Sequence, residues 1–189
     1  MEEESDESKL NNLLRRQRRI YHFTGSWQSE LLDHYRVFEL SLGSSDWQSK
    51  LQRLRSHETK PIRVGIRDVI AAEQLESLKN LPIDYIASPL CRASIAEKAT
   101  RLGLPFMLSV VTPTEVQQAS EWGSRWIRVF PAETFGHAYL QALTAPFDAI
   151  QFIADHATSE EDADSFVQHG CVASIIKLKR QTSQTPLNS

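Results

Sequence analysis

Cysteine and long apolar runs are both scarce in this chain. The 189 residues contain two cysteines, Cys91 and Cys171, which are too few for a disulfide framework and form no Cys-x-x-Cys pair. No apolar run reaches the roughly 20 residues that a membrane-spanning helix requires. The first seven residues are mostly acidic, and no apolar signal core follows them. These absences predict a cytoplasmic protein of a reducing compartment, without a transmembrane segment.

Basic charge is not in excess either. Lysine and arginine number 21 against 24 aspartates and glutamates, which gives a formal net charge of −3. Because there is no overall positive field to hold a phosphate backbone, nucleic-acid binding is not expected. The composition, 41% hydrophobic and 24% charged, is typical of a single globular domain of this length.

Apolar runs rich in β-forming residues alternate with segments whose apolar residues recur at helical spacing. The predicted strands are Arg19–Phe23, Arg36–Leu42, Ile62–Val69, Tyr85–Ser88, Pro105–Val111, Trp126–Phe130, Ile150–Ile153 and Cys171–Ile176. This alternation predicts an α/β protein whose parallel sheet closes into a (β/α)8 TIM barrel. An open doubly wound sheet is the alternative, but no GxGxxG or GxxxxGK[ST] motif follows any strand.

The barrel is lean for its class, in which about 250 residues are typical. The first helix, Trp27–His34, is expected to make barely two turns, and no clear eighth helix follows the last strand. We therefore expect a flexible acidic N-terminus over residues 1–12, a barrel over residues 13–178 and a mobile polar tail over residues 179–189.

Two later helices carry recognisable start signals. Thr112, Pro113 and Glu115 fit a capping box with proline at the first helical position. Ser159 precedes three acidic residues, which favour the positive end of a helix. A helical pattern also covers Ala71–Leu81.

From Arg36 to about Ile176 the chain carries a series of short motifs. They are Val37–Leu42, Val64-Gly65, Ala72–Leu75, Ile86–Pro89, Gly103–Pro105, Thr112–Glu115, Phe130–Glu133 and Ala138–Leu143 with Pro146-Phe147. In their order and spacing the chain resembles the KDPG/KHG aldolases, which cleave 2-keto-3-deoxy-6-phosphogluconate or 4-hydroxy-2-oxoglutarate to release pyruvate. The resemblance implies a (β/α)8 barrel that assembles as a trimer.

The resemblance also implies class I aldol chemistry, in which a lysine on the sixth strand forms a Schiff base with the 2-keto group. Arg128 occupies that position in this chain. Glu39 matches the family's proton-transferring glutamate on the second strand. Asp68 stands at the position of a threonine on the third strand, and Asp155 with His156 stands in place of a Thr-Gly-Gly turn after the seventh.

An arginine cannot replace the lysine, because its guanidinium stays protonated and offers no amine lone pair. We expect Arg128 to join an ionic cluster and to make bidentate contacts with Glu39, Asp68 or both. The alternative is a small-anion or keto-acid pocket lined by Asp68, Arg128, Asp155 and His156, in which Arg128 holds a ligand carboxylate.

Two features could rescue catalysis. Lys177 ends the eighth strand and could face the mouth of the barrel, although a lysine at a strand end is usually solvated. A divalent ion could bind among Glu39, Asp68, Asp155 and His156, but the sequence has no ligand-spacing motif, so neither a metal nor another cofactor is expected.

The favoured hypothesis is therefore a catalytically inactive aldolase-like barrel that acts as a binding, assembly or regulatory subunit, with a protein partner or within a larger complex. The alternative is an active lyase that cleaves a small 2-keto acid through an unconventional lysine or metal site. A trimer or another homo-oligomer is compatible with both hypotheses.

A basic run, Arg15–Arg19, precedes the first strand. Such a run forms either a docking face for a protein or lipid, or a solvated helix surface neutralised here by the acidic stretch Glu2–Glu7.

Overall fold

The computed structural model describes residues 5–57 and 61–177. In this part of the chain eight parallel strands pair in chain order, and the eighth also pairs with the first to close a barrel. The strands are β1 (Arg19–His22), β2 (Val37–Ser41), β3 (Arg63–Arg67), β4 (Tyr85–Ser88), β5 (Phe106–Val110), β6 (Trp126–Val129), β7 (Gln151–Ala157) and β8 (Cys171–Ile176). The predicted (β/α)8 barrel is confirmed, and the open doubly wound sheet is wrong.

Strand β7 is longer than its apolar run predicts, since it continues past Ile153 to Ala157. Asp155 and His156 therefore lie within the strand and not in a turn after it. The pairing register with β8 shifts between Asp155 and Ala157, where His156 has a φ of 74°. An irregularity of this kind carries polar residues within a strand without breaking the barrel.

Helices connect the strands and also precede the first one. They are α1 (Asp6–Gln17), α2 (Leu31–His34), α3 (Trp47–Arg55), a 3₁₀ helix (Ala72–Ser77), α4 (Ala93–Arg101), α5 (Pro113–Glu121), α6 (Ala132–Thr144) and α7 (Glu160–Gln168). None of these described helices combines the length and the apolar character that crossing a membrane requires.

Two helix predictions need correction. The first barrel helix, α2, is a single turn and does not begin at Trp27. The segment expected as an α-helix over Ala71–Leu81 is a 3₁₀ helix followed by turns, because its backbone bonds run from residue i+3 to residue i, as from Leu78 N–H to the Leu75 carbonyl. Both segments are shorter than a regular barrel helix, which accounts for part of the short chain length.

The two predicted helix starts are confirmed. The Thr112 hydroxyl accepts the Glu115 N–H at 3.3 Å, and the Glu115 carboxylate accepts the Thr112 N–H at 2.9 Å, which completes a capping box. The Ser159 hydroxyl accepts the Asp162 N–H at 3.1 Å. These caps fix where α5 and α7 leave the C-terminal ends of β5 and β7.

Alternation along the strands separates two apolar cores. The larger core lies between the barrel and its helices. The smaller core fills the lower barrel interior, where Leu10 and Leu14 of α1 pack with inward-facing residues such as Trp126 and Ile153. Helix α1 therefore closes the N-terminal end of the barrel, which leaves the polar inward-facing residues at the opposite end.

The domain boundary expected after residue 12 falls inside α1, which is continuous from Asp6 to Gln17. Residues 1–4 and the tail over residues 179–189 lie outside the described residues, as does the segment in which an eighth helix would follow β8.

Candidate functional site

Four charged side chains face the barrel interior near the C-terminal ends of their strands. They are Glu39 on β2, Arg67 on β3, Arg128 on β6 and Asp155 on β7, and none is more than 4% exposed. Their strand neighbours point outward, as Ile127 and Val129 do on either side of Arg128. In a (β/α)8 barrel this end of the strands is where active sites are built.

The four side chains form a closed ring of alternating charge. The Arg128 guanidinium donates a hydrogen bond to the Asp155 carboxylate, and its Nη2 lies 3.4 Å from Glu39 Oε2. Arg67 reaches the same two carboxylates, with Nη2 at 3.1 Å from Asp155 Oδ2 and Nη1 at 3.5 Å from Glu39 Oε2. Each arginine thus bridges both acids, and the two positive charges are matched within the barrel.

These pairs shift the ionisation of the ring. Burial on its own would raise the pKa of the Asp155 carboxyl, but the charges of Arg128 and Arg67 outweigh it and hold that pKa below its ordinary value. Burial would likewise lower the pKa of Arg67, yet the carboxylates of Asp155 and Glu39 raise it. Asp155 therefore stays ionised as the shared acceptor of the two arginines.

The ionic cluster predicted around Arg128 is present and includes Glu39, but its predicted geometry is wrong. Arg128 makes its close contacts through the single nitrogen Nη2, and no ion pair among the described residues joins it to Asp68. Asp68 follows β3 with a φ of 66° and remains half-buried, where it accepts hydrogen bonds from Arg67 Nε at 3.2 Å and from the Ser41 hydroxyl. Arg67 thus takes the partner that was expected to serve Arg128.

Arg67 is missing from the sequence-based set of site residues. The resemblance draws attention to Asp68, the residue that stands at the threonine position. A signal for Arg67 does exist, because it lies two residues after Gly65 and so shares the inward face of the strand. An arginine that faces inward near the mouth of a barrel needs carboxylate partners, as Arg128 does.

Tyr85 on β4 supports the ring from below. Its hydroxyl donates to Glu39 Oε1 at 3.2 Å, and burial raises the pKa of the phenol well above its ordinary value, so it remains a donor. Its ring lies directly over Gly65, where an added Cβ would come within 2.3 Å of the ring. The glycine of the Val64-Gly65 motif is therefore required for this Tyr85 position.

Two histidines border the cluster. His22, at the end of β1, is 6% exposed, and neither ring nitrogen has a hydrogen-bond partner among the described residues. Burial first, and then the charge of Arg67, lowers the pKa of His22 to about 3, so the ring is neutral at pH 7. His156 is more accessible, with its ring 5.4 Å from that of Phe130 and its Nδ1 3.7 Å from Asp155 Oδ1.

The structure supports neither an alternative catalytic lysine nor a metal site among the described residues. Lys177 follows β8 with an exposed side chain. Lys50 is buried, but it lies on α3 with its ammonium 4.9 Å from the Phe23 ring and 2.9 Å from Asp46, outside the barrel interior. Within residues 5–57 and 61–177, no group of three or more His, Cys, Asp or Glu side chains has an arrangement that could hold a metal ion.

Comparison with known families agrees with the barrel and its motifs. The family described as KDPG and KHG aldolase matches residues 28–179, a span that contains seven of the eight strands. The chain belongs to this family.

Individual relatives are distant. The 2-dehydro-3-deoxy-6-phosphogalactonate aldolase of Escherichia coli (strain K12) is 26% identical over 135 residues, which cover 70% of this chain and 65% of that enzyme. The chain thus spans somewhat less than two thirds of this curated relative.

Solved structures agree on the fold alone. A native KDPGal structure superposes with a TM-score of 0.73 at 22% identity, covering 84% of this chain and 82% of that one. A cube-shaped protein cage designed by fusing symmetric oligomeric domains superposes with a TM-score of 0.74 at 21% identity, covering 87% and 66%. At such identities the agreement extends to the barrel and not to the chemistry of its mouth.

Proposed function

We propose that this family member does not perform Schiff-base aldol cleavage and acts as a binding, assembly or regulatory subunit. One observation carries the proposal: the side chain at position 128 is a buried guanidinium held between Asp155 and Glu39. The family resemblance assigns the Schiff-base lysine to this same position. The residue that would attack the substrate is therefore replaced by one that neutralises two carboxylates.

The chemistry of the guanidinium supports the loss of activity. A Schiff base needs an unprotonated amine that adds to the keto carbon and then expels water, and an arginine is protonated at all physiological pH values. Without the iminium, the electron pair left by carbon–carbon cleavage has no comparable acceptor. Glu39 would have no such intermediate to which it could transfer a proton.

The charge balance of the ring also disfavours an anionic substrate. A keto acid needs an available cation for its carboxylate, but Arg67 and Arg128 already face two buried carboxylates. A ligand carboxylate would have to displace Glu39 or Asp155 from these contacts, which leaves a buried acid unpaired. The hypothesis of a small-carboxylate pocket lined by Asp68, Arg128, Asp155 and His156 is therefore less well supported than the hypothesis of an inactive barrel.

The decisive experiment is reductive trapping. The protein is incubated with pyruvate and borohydride, and the intact mass and peptide masses are then measured. We expect no covalent adduct on the wild-type chain. The matched control is Arg128→Lys, which restores an amine at this position and reports whether pyruvate can reach it.

An adduct on wild-type protein, mapped to Lys177 or to any other lysine, would refute the proposal and support the alternative. That alternative, an active lyase on a small 2-keto acid, is supported by the family and by the curated relatives that are named as aldolases. The presence of Glu39 at the family's proton-transfer position also supports this alternative. The described residues, however, include no buried amine near the ring of Glu39, Arg67, Arg128 and Asp155.

The binding role predicts that the chain associates with other molecules through its surface. A trimer or another homo-oligomer is proposed here on the strength of the family, with the designed cage as an example of a related barrel used as a symmetric oligomer. The cytoplasmic location also remains a proposal. Size analysis of the native complex, with its polypeptides identified by mass spectrometry, distinguishes a homo-oligomer from a subunit of a larger assembly.

A further inference from the structure

A polar cavity lies at the N-terminal end of the barrel, opposite the ring of buried charges. Its volume is about 450 Å³, which is within the range of small-molecule binding sites. Gln151, the first residue of β7, pairs in register with Trp126, the first residue of β6, so the cavity adjoins the starts of these strands. The lining residues come from α1 and from the segments that lead into β6 and β7: Ser8, Asn11, Asn12, Arg125, Ala149 and Gln151.

Two side-chain oxygens in this cavity are buried without a hydrogen-bond partner. They are Asn11 Oδ1 on α1 and Gln151 Oε1 on β7, and neither accepts a hydrogen bond from any of the described residues. A buried acceptor that has lost water and gained no donor costs about 1–3 kcal/mol. Because such groups are uncommon in folded proteins, two of them in one cavity indicate a ligand that supplies N–H donors.

Arg125 gives the same cavity a positive charge. Its closest contact with Glu7 joins Nη1 to Oε2 at 3.0 Å, and its side chain is 57% exposed. A guanidinium has five N–H donors, so this ion pair leaves donors for a second carboxylate. A simple cation in the cavity would be repelled by Arg125, and a simple anion would meet the two acceptor oxygens. The lining therefore favours a ligand that carries both charges.

We propose that this cavity binds a free α-amino acid as its zwitterion. The ammonium group donates to Asn11 Oδ1 and Gln151 Oε1, and the carboxylate accepts hydrogen bonds from Arg125. An α-amino acid fits because it carries both charged groups on one carbon atom, and the cavity presents both acceptors and a cation. The site lies at the other end of the barrel from the ring, so it does not depend on whether the barrel has lost aldolase activity.

A nuclear magnetic resonance titration of the full chain with glycine tests the proposal. We expect a saturable shift of the side-chain amide signals of Asn11 and Gln151, which are assigned by their absence from Asn11→Leu and Gln151→Leu. Acetate lacks the ammonium group, and trimethylglycine keeps the positive charge but has no N–H donor. Each should bind at least about tenfold more weakly than glycine.

Variants of the lining residues make the test specific. Gln151→Leu and Arg125→Gln should each weaken glycine binding at least about tenfold. Their matched controls are Gln118→Leu on α5 and Arg92→Gln before α4, which change exposed residues outside the cavity and should bind glycine like wild type. Glu7→Gln should bind glycine about two- to fivefold more tightly, because Glu7 no longer competes for Arg125.

Stability separates a ligand site from a structural one. Without glycine, Gln151→Leu should not lower the free energy of unfolding, because the oxygen that it removes has no partner in the free barrel. The proposal is overturned if glycine causes no saturable shift up to about 100 mM, or if acetate or trimethylglycine binds as tightly. It is also overturned if Gln151→Leu destabilises the barrel but binds glycine normally, since bound water alone would then satisfy the oxygen. Reductive trapping reports only on the ring, so its outcome is separate from these results.

Discussion

At the scale of single residues, the barrel mouth depends on buried charges that match one another. Arg67, Arg128, Glu39 and Asp155 are each at most 4% exposed, so each would carry a large desolvation cost without the others. The family resemblance made Arg128 and Glu39 predictable, because both stand at recognisable motif positions. The pairing with Asp155 was not predictable, since the apolar run ends at Ile153 and does not show that β7 continues through Asp155 to Ala157.

His22 gives this cluster a measurable pH dependence. Unfolded His22 titrates near pH 6.5 and folded His22 near pH 3, so between these values the unfolded state binds a proton that the folded state does not. Stability should therefore fall as the pH is lowered through this window. Between pH 6.5 and 5 we expect His22 to lower the free energy of unfolding by roughly 1–2 kcal/mol, which chemical denaturation at each pH can measure.

The variant His22→Gln isolates this contribution from those of the other histidines. It removes the titrating ring while keeping a polar side chain, so its free energy of unfolding should fall less steeply over the same pH range. Identical slopes for wild type and variant would mean that His22 gains a proton or a partner in the folded barrel.

At the scale of elements, the seam between β8 and β1 is held by side chains from α7. Arg19 on β1 donates to Glu160 at 2.8 Å and also to Asp164, and the Tyr35 hydroxyl after α2 donates to Glu160 at 2.6 Å. The sequence predicted a barrel without a clear eighth helix, and this contact joins the first and last βα units within the described residues. Its partners are 125 and 141 residues apart, a separation that local periodicity cannot indicate.

A double-mutant cycle measures this tie. Tyr35→Phe removes the donor and Glu160→Ala removes the acceptor of the hydrogen bond, and we expect a coupling energy of about 0.5–1 kcal/mol in the free energy of unfolding, because Glu160 is half-exposed and screened. The variant Glu161→Ala, at the neighbouring exposed position, should change stability by less than about 0.5 kcal/mol. A coupling energy of zero would show that the Tyr35–Glu160 hydrogen bond does not stabilise the seam.

At the scale of the whole molecule, α1 is part of the barrel, because Leu10 and Leu14 lie in its inner core. The acidic residues at the start of the chain led to the prediction of a flexible N-terminus over residues 1–12. The spacing of Leu10 and Leu14, which places both on one face of a helix, was a signal for α1 that this prediction did not use. The barrel itself was predictable, because each of the eight strands has a recognisable apolar pattern in the sequence. The closure of its N-terminal end by α1 was not predictable, because the strand sequences do not indicate which segment covers that end.

The contribution of α1 to the whole barrel can be measured with Leu14→Ala. Leu14 is fully buried in the inner core, so we expect the substitution to lower the free energy of unfolding by about 2–5 kcal/mol. Leu13→Ala is the matched control, because it removes the same atoms from a half-buried neighbour and should cost about 1 kcal/mol. Because α1 packs with residues of β6, β7 and β8, the loss should appear as one cooperative transition in both far-ultraviolet circular dichroism and tryptophan fluorescence. Equal losses for the two variants, or an early transition confined to the helix, would show that α1 only rests on the barrel and does not complete it.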